Sequence, residues 1–471
     1  MQNFDTTWLL VVGGTLLQTM VSVVFSVGLG VPLAHVWYTY EVPGRRFWPA
    51  IATLFFIMPS KLAALAVQTW YGTTGLTGII VSHVLLNMPF VFFVTSVAYR
   101  TVDRTLVLAA RDLGASSWQC YRDTIMPFLV PAIASSVVVI GVLCFSSQSI
   151  PTFFGYAVYH ATPDIKLAQA YCEHDTFHTL LYALTRLSVV IPISMSRSAR
   201  SVVYGRLSGA RSTRKKITFA SWRSLVWCIY ALIASSVAWG PLLALCWRGI
   251  DGSVIDFWRR IVVGNEDPVL GIAVHHVISN SFYLAATSSL IALGVGWLVC
   301  LLFSRLRSAT FCRWLSLSAA VPFVLGGTGC GILFAWLADV VTLSSFVLAV
   351  ACHTLLNYPY VYRVLRARYD LFERAWTLSA QSLGATSLQA LRTVELPFIG
   401  TAARRALCTV FGLSLTEIGT ESVLGGKLGM TMPMAIRLYR QHGVHEGVMG
   451  LSLITLLLTL LGAYGILSSD E

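Results

Sequence analysis

The sequence predicts an all-α integral membrane protein that consists of two tandem copies of one helical unit. Three observations carry this prediction: apolar blocks of about twenty residues or more, basic residues in the gaps between the blocks, and an internal repeat at a constant offset. An apolar helix of about twenty residues can cross the roughly 30 Å hydrocarbon layer of a bilayer. Only 11% of the residues are charged, well below the share in soluble domains, so this composition excludes a soluble protein.

The apolar blocks predict eleven membrane spans. In chain order they lie near 8–37, 48–70, 75–98, 127–149, 177–196, 222–246, 280–304, 313–338, 342–364, 398–418 and 447–467. The first block is too long for a signal-peptide core and has no basic leader, so we predict a retained span there. A span plus a short interfacial helix is the alternative for that block. The ten Cys residues are scattered, which predicts packing roles rather than metal or disulfide chemistry.

Arginine and lysine, which give the chain its net charge of +12, are concentrated in alternate gaps between the spans. Because basic loops are retained in the cytoplasm, this pattern predicts an N-terminus outside and a C-terminus in the cytoplasm. The densest run, Ser196 to Lys216, is interpreted as a plain linker, and contact with anionic membrane lipid is the alternative. No motif that reads RNA or DNA is present, so we expect no nucleic-acid partner.

An internal repeat returns at an offset of 270 residues. The segment HVLLNMPFVFFV from His83 returns as HTLLNYPYVYRV from His353, and 19 of 46 positions are identical between 83–128 and 353–398. Both repeated basic loops lie on the cytoplasmic side, which predicts parallel repeats related by an axis along the membrane normal. We therefore divide the chain into a first repeat of about five spans, a basic linker and a second repeat of about six spans: 1–196, 197–223 and 224–471.

The loop in each repeat has a pattern of its own, LAARDLGASSWQCYRDTIMP in the first copy and LSAQSLGATSLQALRTVELP in the second. A short helix rich in Ala and Leu is predicted to end at Gly114 or Gly384, because glycine readily takes the left-handed conformation. The Ser or Thr that follows is suited to capping a second short helix. Pro127 and Pro397 then open the next span. The pattern predicts a helix–turn–helix knob in the cytoplasm, twice per chain.

This loop resembles the "EAA" signature of permeases in binding-protein-dependent ABC importers: Glu-Ala-Ala, three residues, Gly, nine residues, an aliphatic, one residue, Leu-Pro. The Gly-to-Pro spacing fits in both copies, and the resemblance covers nearly the whole chain. The signature Glu is replaced by Leu108 and Leu378, an Ala by Ser379, and the aliphatic by Thr124. Loss of the Glu implies a mainly apolar contact between the loop and its ATPase.

The resemblance implies a multi-pass permease of the type I fold in the bacterial inner membrane, with specific partners. They are two copies of an ABC ATPase subunit, one extracytoplasmic solute-binding protein and membrane lipid. ATP and Mg would be bound by the ATPase, so no cofactor, metal or catalytic site is expected on this chain. The residues implied to dock the ATPase are Ala109, Ala110, Leu113, Gly114, Ala115 and Pro127 in the first loop, and Ala380, Leu383, Gly384, Ala385 and Pro397 in the second.

Two other functional classes fit less well. The nearest approach to a Walker A motif, Gly425-Gly426-Lys427, is followed by Leu428 instead of Ser or Thr, so ATP hydrolysis must come from another chain. A secondary transporter or channel usually keeps several charged residues within its spans, and here they are few. A membrane-embedded enzyme would need catalytic partners, which His83 and His353 lack at ligand spacing. We interpret both histidines as helix-packing or interfacial residues rather than ligands.

The solute is less strongly indicated. The segments LSLTEIGTESVLGG from Leu413 and TMPMAIRLYRQHGVHEGVMG from Thr431 resemble permeases of thiamine-type importers, which predicts thiamine or its phosphates. A ferric-ion importer is the alternative. Permeases of the thiamine group have an extra N-terminal span, which the eleven spans predicted here do not include.

Acidic and amphipathic stretches mark the predicted outer side. Glu417 and Glu421 are four residues apart, which predicts one helical face at the outer end of the tenth span and a possible solute path for a cation. Local hydrogen bonding in a wet mouth is the alternative. The stretches Thr162 to Tyr171 and Met432 to Tyr439 are predicted outside the membrane, as a landing surface for the binding protein or as interfacial helices.

Overall fold

A computed structural model describes residues 2–40, 58–99, 101–155, 161–195, 222–248, 252–305, 321–341, 344–369, 372, 374–424 and 429–467. Across these residues the regular structure is helical, and the extended pairing consists of one isolated bridge between Glu266 and Ala273. The predicted all-α membrane fold class is confirmed. Most of the predicted linker, 197–221, and the run 425–428 lie outside the described residues.

The helices of the first half are numbered in chain order. They are α1 (Gln2–Thr39), α2 (Ser60–Tyr71), α3 (Gly75–Tyr99), α4 (Arg104–Asp112), α5 (Ser117–Gln119), α6 (Met126–Phe145), α7 (Ser149–Phe154), α8 (Pro163–Cys172), α9 (Thr176–Met195) and α10 (Trp222–Arg248).

The numbering continues through the second half. Its helices are α11 (Gly252–Val263), α12 (Val274–Arg305), α13 (Val321–Val340), α14 (Ser345–Tyr369), α15 (Arg374–Ser382), α16 (Ser387–Ala390), α17 (Leu396–Thr416), α18 (Gly419–Leu424), α19 (Met432–Gln441) and α20 (His445–Leu467).

A helix lies within every predicted span. In the described part of the chain, six helices are long and apolar enough to cross a membrane, and two shorter helices are also apolar. The number of spans, eleven, therefore stays a prediction. The first block is one continuous helix of 38 residues, not a span plus a separate interfacial helix. Its length of about 57 Å exceeds the hydrocarbon layer.

The helices form two compact units. The first contains Met1–Gln169 and Thr176–Asp251, and the second contains Ala170–Asp175 and Gly252–Glu471. Helix α10, which follows the predicted linker, thus packs with the first unit. Its Gly240 lies directly against the Trp70 ring of α2, and the Tyr230 hydroxyl donates to the Leu29 carbonyl of α1. The repeat boundaries at 196–197 and 223–224 describe duplication of the sequence, whereas these contacts describe packing. The boundaries therefore stay a prediction.

In the first unit, α1 and α3 cross in close contact. A Cβ atom at Gly30 would lie 2.8 Å from Val91 Cβ and 2.9 Å from the Met88 carbonyl oxygen. Small residues at such crossings let membrane helices approach closely. Glycine is therefore required at position 30 by space rather than by backbone conformation.

The second unit repeats this crossing between α12 and α14. A Cβ atom at Gly296 would lie 2.7 Å from Val361 Cβ. Val91 and Val361 are 270 residues apart, the offset of the sequence repeat, whereas Gly30 and Gly296 are 266 apart. The duplication thus extends to the helix two positions earlier in each unit, with a shift of four residues that a search at constant offset misses.

A buried polar cluster joins three helices of the second unit. The His353 Nδ1 atom of α14 lies 2.7 Å from Ser414 Oγ of α17, which lies 2.9 Å from Ser288 Oγ of α12. Hydrogen bonds of this kind link helices where water is absent. His83, the counterpart of His353 on α3, is also buried. Both positions fit the predicted packing role.

Candidate functional site

The first knob is built around one helix end. Helix α4 ends at Asp112, and Gly114 follows with a φ of +86°. The Ala115 N–H donates to the Ala110 carbonyl over 3.0 Å, and the Gly114 N–H donates to the Arg111 carbonyl over 2.9 Å. These two bonds are the signature of the Schellman motif, which satisfies carbonyls at a helix end. Ala110, Gly114 and Ala115 therefore belong to one turn.

The second knob repeats this turn. Gly384 has a φ of +92°, and the Ala385 N–H donates to the Ala380 carbonyl over 3.1 Å. The prediction that both glycines end their helices in the left-handed conformation is confirmed. No atom lies within 4 Å of where a Cβ would stand at either glycine, so the requirement for glycine is conformational and not spatial.

A capping box starts the next short helix in each knob. The Ser116 Oγ atom accepts from the Gln119 N–H over 3.3 Å, and the Gln119 Oε1 atom accepts from the Ser116 N–H over 2.7 Å. Thr386 and Gln389 make the same pair of bonds over 3.3 and 2.8 Å. The reciprocal bonds satisfy two donors at the helix start. The predicted caps are confirmed.

The sequence indicates a second short helix that is separate from the following span, whereas in the structure the two are continuous. It continues through a π-helical turn, Cys120–Ile125 in the first copy and Leu391–Glu395 in the second. Pro127 and Pro397 stand at the start of the regular helix after each turn. Because proline lacks an N–H and its ring crowds the carbonyl four residues earlier, a wider turn before it is favourable.

Each knob presents apolar side chains at its surface. Leu113 and Leu383, directly before the glycines, are 89% and 90% exposed. Other exposed apolar side chains lie on the two short helices of each knob: Leu106, Leu108 and Trp118 in the first, and Trp376, Leu378 and Leu388 in the second. Ala109, Pro127 and Pro397 are exposed too. Contiguous exposed apolar surface of this kind marks an interaction site.

The second knob is held to its span by an aromatic cluster. The rings of Phe372, Trp376 and Phe398 lie 5.3 to 5.5 Å apart. The Arg368 guanidinium lies 4.1 Å from the centre of the Phe398 ring, and its Nε–H donates to the Phe398 carbonyl over 3.2 Å. We call these four residues the brace. Sequence reasoning missed it because Arg368 and Phe372 lie outside the signature.

The first knob makes a different contact. At the positions of Arg368 and Trp376 it has Ala98 and Leu106, and the Leu106 side chain is exposed. Instead, the Tyr121 ring meets the His35 ring edge-on, with centroids 5.3 Å apart. His35 also lies 3.0 Å from the Tyr99 hydroxyl. The two knobs therefore share their turns but not their attachments.

The two predicted path carboxylates are placed differently by the structure. Helix α17 ends at Thr416, and Glu417 is extended with a ψ of 123°. Its Oε1 atom accepts from the Gly419 N–H over 2.8 Å and from the Thr420 N–H over 3.4 Å, at the start of α18. The prediction that Glu417 and Glu421 share one helical face is therefore wrong, because the helix breaks between them. Glu421 lies within α18 and is buried.

A second helix break faces this one. Helix α13 contains Gly326 with a φ of +61° and a ψ of −177°. A Cβ at the next residue, Gly327, would lie only 2.0 Å from Glu417 Oε1, and the Thr420 hydroxyl donates to the Gly327 carbonyl over 3.4 Å. Bare backbone and a carboxylate thus meet where two apolar helices are interrupted. In membrane transporters, discontinuous helices of this kind form binding sites.

The two predicted outer stretches form α8 and α19, but most of their side chains are buried. In α8, Asp164 forms an ion pair with Arg186 of α9 over 2.6 Å, and the two side chains are 6% and 4% exposed. This burial leaves little free surface on either helix for a landing protein. The second copy has Met434 and Leu456 at the offset positions, so the ion pair is specific to the first copy.

Comparison with known proteins places these features in a family. Residues 10–204 match the family described as binding-protein-dependent transport system inner membrane component. The chain is 22% identical to the thiamine transport system permease protein ThiP of Brucella abortus (strain 2308), over 92% of this chain and 82% of the relative. This chain is a permease of the ABC importer class. It is accordingly a multi-pass inner-membrane protein.

Further relatives agree with this assignment. The permease is 24% identical to ThiP of Salmonella typhimurium over 94% of its length and 85% of the relative. It is 23% identical to the probable ABC transporter permease protein y4fN of Sinorhizobium fredii, over 85% of its length and 71% of the relative. The family associates with an ATPase and with a binding protein, and the relatives are transport permeases rather than enzymes.

Proposed function

We propose that the permease forms the translocation path for thiamine or its phosphates, delivered by an extracytoplasmic binding protein. The observation that carries this proposal is similarity to thiamine permeases over more than nine-tenths of the chain. The resemblance of the segments around Glu417 and Met432 to the C-terminal part of that group supports it. The alternative from the sequence is a ferric-ion importer.

In this proposal the knobs dock two ATPase subunits, one on each, with the N-terminus of the chain outside and both knobs in the cytoplasm. Equal turns at Gly114 and Gly384 and equally exposed leucines before them support two equivalent docking points. Because each knob continues through a π turn into a span, closure of the ATPases would tilt α6 and α17. That is rigid-body coupling between bistable halves.

The solute path is proposed to pass Glu417. A carboxylate beside bare backbone at two interrupted helices suits a cationic organic solute, and thiamine carries such a charge. The Oε1 atom serves as a helix cap. The negative charge of the carboxylate would also attract the solute. Glu421, buried in the following helix, would contribute to the negative potential near the path.

Transport in proteoliposomes tests the proposal. The permease is reconstituted with its ATPase and its binding protein, and uptake of radiolabelled thiamine and of labelled ferric ion is measured with ATP inside. We expect ATP-dependent thiamine uptake that requires the binding protein. Iron uptake without thiamine uptake would overturn the choice of solute, and full uptake without the ATPase would overturn the class of transporter.

A further inference from the structure

Helix α11, Gly252–Val263, has no part in the knobs or in the proposed path. Its twelve residues span about 18 Å, too short to cross the bilayer. Only three residues separate it from the end of α10 at Arg248, and ten separate it from α12. Since both neighbouring helices are apolar enough to cross a membrane, the chain keeps α11 close to a membrane surface.

One face of α11 packs against other helices of the second unit, to which it belongs. Phe257 is buried, its ring lies directly against Gly450 of α20, and it meets the Tyr439 ring edge-on with centroids 6.1 Å apart. Gly450 is five residues into α20, which begins at His445. This contact sets the depth of α11 independently of the chain connections. It lies where the apolar segment of α20 starts.

A second face is apolar but exposed. Ile255 is 42% exposed and Val262 is 86% exposed, and Trp258 between them is half-buried. The spacing of three and four residues puts these side chains on one stripe of the helix. Asp256 and Arg259, paired over 3.2 Å and both exposed, lie along one edge of this stripe. The helix thus has a packed face and an exposed apolar stripe with a charged edge.

We propose that α11 lies in the membrane interface, with Ile255, Trp258 and Val262 among the lipid acyl chains and Arg259 at the level of the lipid phosphates. An amphipathic helix with an aromatic residue and a basic polar face has this preference. The depth set by Phe257 is the depth of the headgroup layer. Leu457 and Leu461, further along α20, are also exposed apolar side chains and would face lipid.

The proposal commits to lipid rather than to the binding protein as the partner of this stripe. The position of α11 supports it, because short connections to two apolar helices and the contact of Phe257 with Gly450 hold α11 where the apolar segment of α20 starts. The inference depends on the membrane fold and not on which solute is carried. The experiment that tests it is therefore independent of the transport measurement.

Site-directed fluorescence in proteoliposomes tests it. Single cysteines are introduced by Ile255→Cys, Val262→Cys and Asp256→Cys in a full-length chain whose native cysteines are replaced, and each is labelled with an environment-sensitive fluorophore. Quenching is compared between a phosphatidylcholine that carries a nitroxide near its headgroup and a water-soluble quencher. Retained binding of the ATPase confirms that each variant is folded.

We expect stronger quenching by the lipid nitroxide at positions 255 and 262, with blue-shifted emission, and stronger quenching by the aqueous reagent at the matched position 256. Equal access of the aqueous reagent to all three positions would overturn the proposal. Aqueous access at 255 and 262 that disappears when the binding protein is added would also overturn it. That result would identify the stripe as a protein-docking surface instead.

Discussion

Glu417 combines two chemical duties that can be separated by substitution. Its Oε1 atom caps α18 through the Gly419 and Thr420 N–H groups, and its charge lies beside the bare backbone at Gly327. A glutamine at this position keeps an oxygen acceptor in the same place and removes the charge. Alanine removes both. The two variants therefore distinguish a structural cap from an electrostatic role.

We predict that Glu417→Gln lowers thiamine uptake strongly while thermal stability stays near that of the wild type. Glu417→Ala should lose uptake and also about 0.5–2 kcal/mol of stability, the usual cost of a lost cap. Uptake in proteoliposomes and the unfolding midpoint in detergent are the measurements. Wild-type uptake by the Gln variant would reduce Glu417 to a cap.

The buried pair of Asp164 and Arg186 makes a second prediction. Asp164→Asn removes a buried charge that faces the buried Arg186, so this variant should be less stable than the wild type by about 3–5 kcal/mol. Replacement of both by apolar residues of similar size, Asp164→Leu with Arg186→Met, should recover most of that loss. The exposed pair of Asp256 and Arg259 is a matched control, because its removal should change stability by at most about 1 kcal/mol.

Thermal unfolding in one detergent, with all variants purified alike, measures these differences. If Asp164→Asn unfolds at the temperature of the wild type, the pair contributes nothing to holding α8 on α9. If the doubly apolar variant is as unstable as Asp164→Asn, charge pairing itself is required.

At the scale of elements, the two knobs differ in how they are attached to their spans. The brace joins the second knob to α14 and α17 through Arg368 and Phe398, and the first knob has Ala98 in place of the arginine. A cation over an aromatic ring contributes about 0.5–2 kcal/mol, more where water is excluded. The brace should therefore order the second knob locally.

We predict that Arg368→Ala speeds amide hydrogen exchange in α15 and α16 and leaves α4 and α5 unchanged. The first knob of the same molecule is the matched control, since it lacks the brace. A change of similar size in both knobs would show a global effect instead. No change in either would show that the aromatic rings hold the knob without the arginine.

Local chemistry decided which elements the sequence could predict. The turns at Gly114 and Gly384 and the caps at Ser116 and Thr386 depend on neighbours within six residues, and all were predicted correctly. The break at Glu417 was missed, because α17 continues as an apolar pattern and the break is set by packing against α13. The shift of four residues at Gly30 and Gly296 was missed for the same reason. It appears only when helices distant in sequence are seen in contact.

For the whole molecule, one polypeptide carries both proposed docking points, so the number of bound ATPases should be changeable one at a time. A β-branched residue cannot easily take the left-handed conformation, which costs it about 1–2 kcal/mol or more. We predict that Gly114→Val and Gly384→Val each reduce the complex from two ATPase subunits to one, and that the double variant binds none.

Native mass spectrometry of the purified complex counts the subunits. Asparagine, which tolerates the left-handed conformation better than other non-glycine residues, is the control. Gly114→Asn and Gly384→Asn should keep both ATPases. Two subunits on the double valine variant would refute docking at the knobs, and loss of both from either single variant would show that the ATPases bind only as a pair.

The two knobs are attached to their spans by different contacts, and this difference bears on the evolution and the motion of the permease. A permease assembled from two identical chains would carry any brace twice, because symmetry copies every residue. Fusion into one polypeptide lifts that constraint, so each half can be tuned alone. Each round of ATP hydrolysis would then act on two knobs that are attached to their spans by different contacts. The sequence of a single chain would then determine which half of the permease moves first.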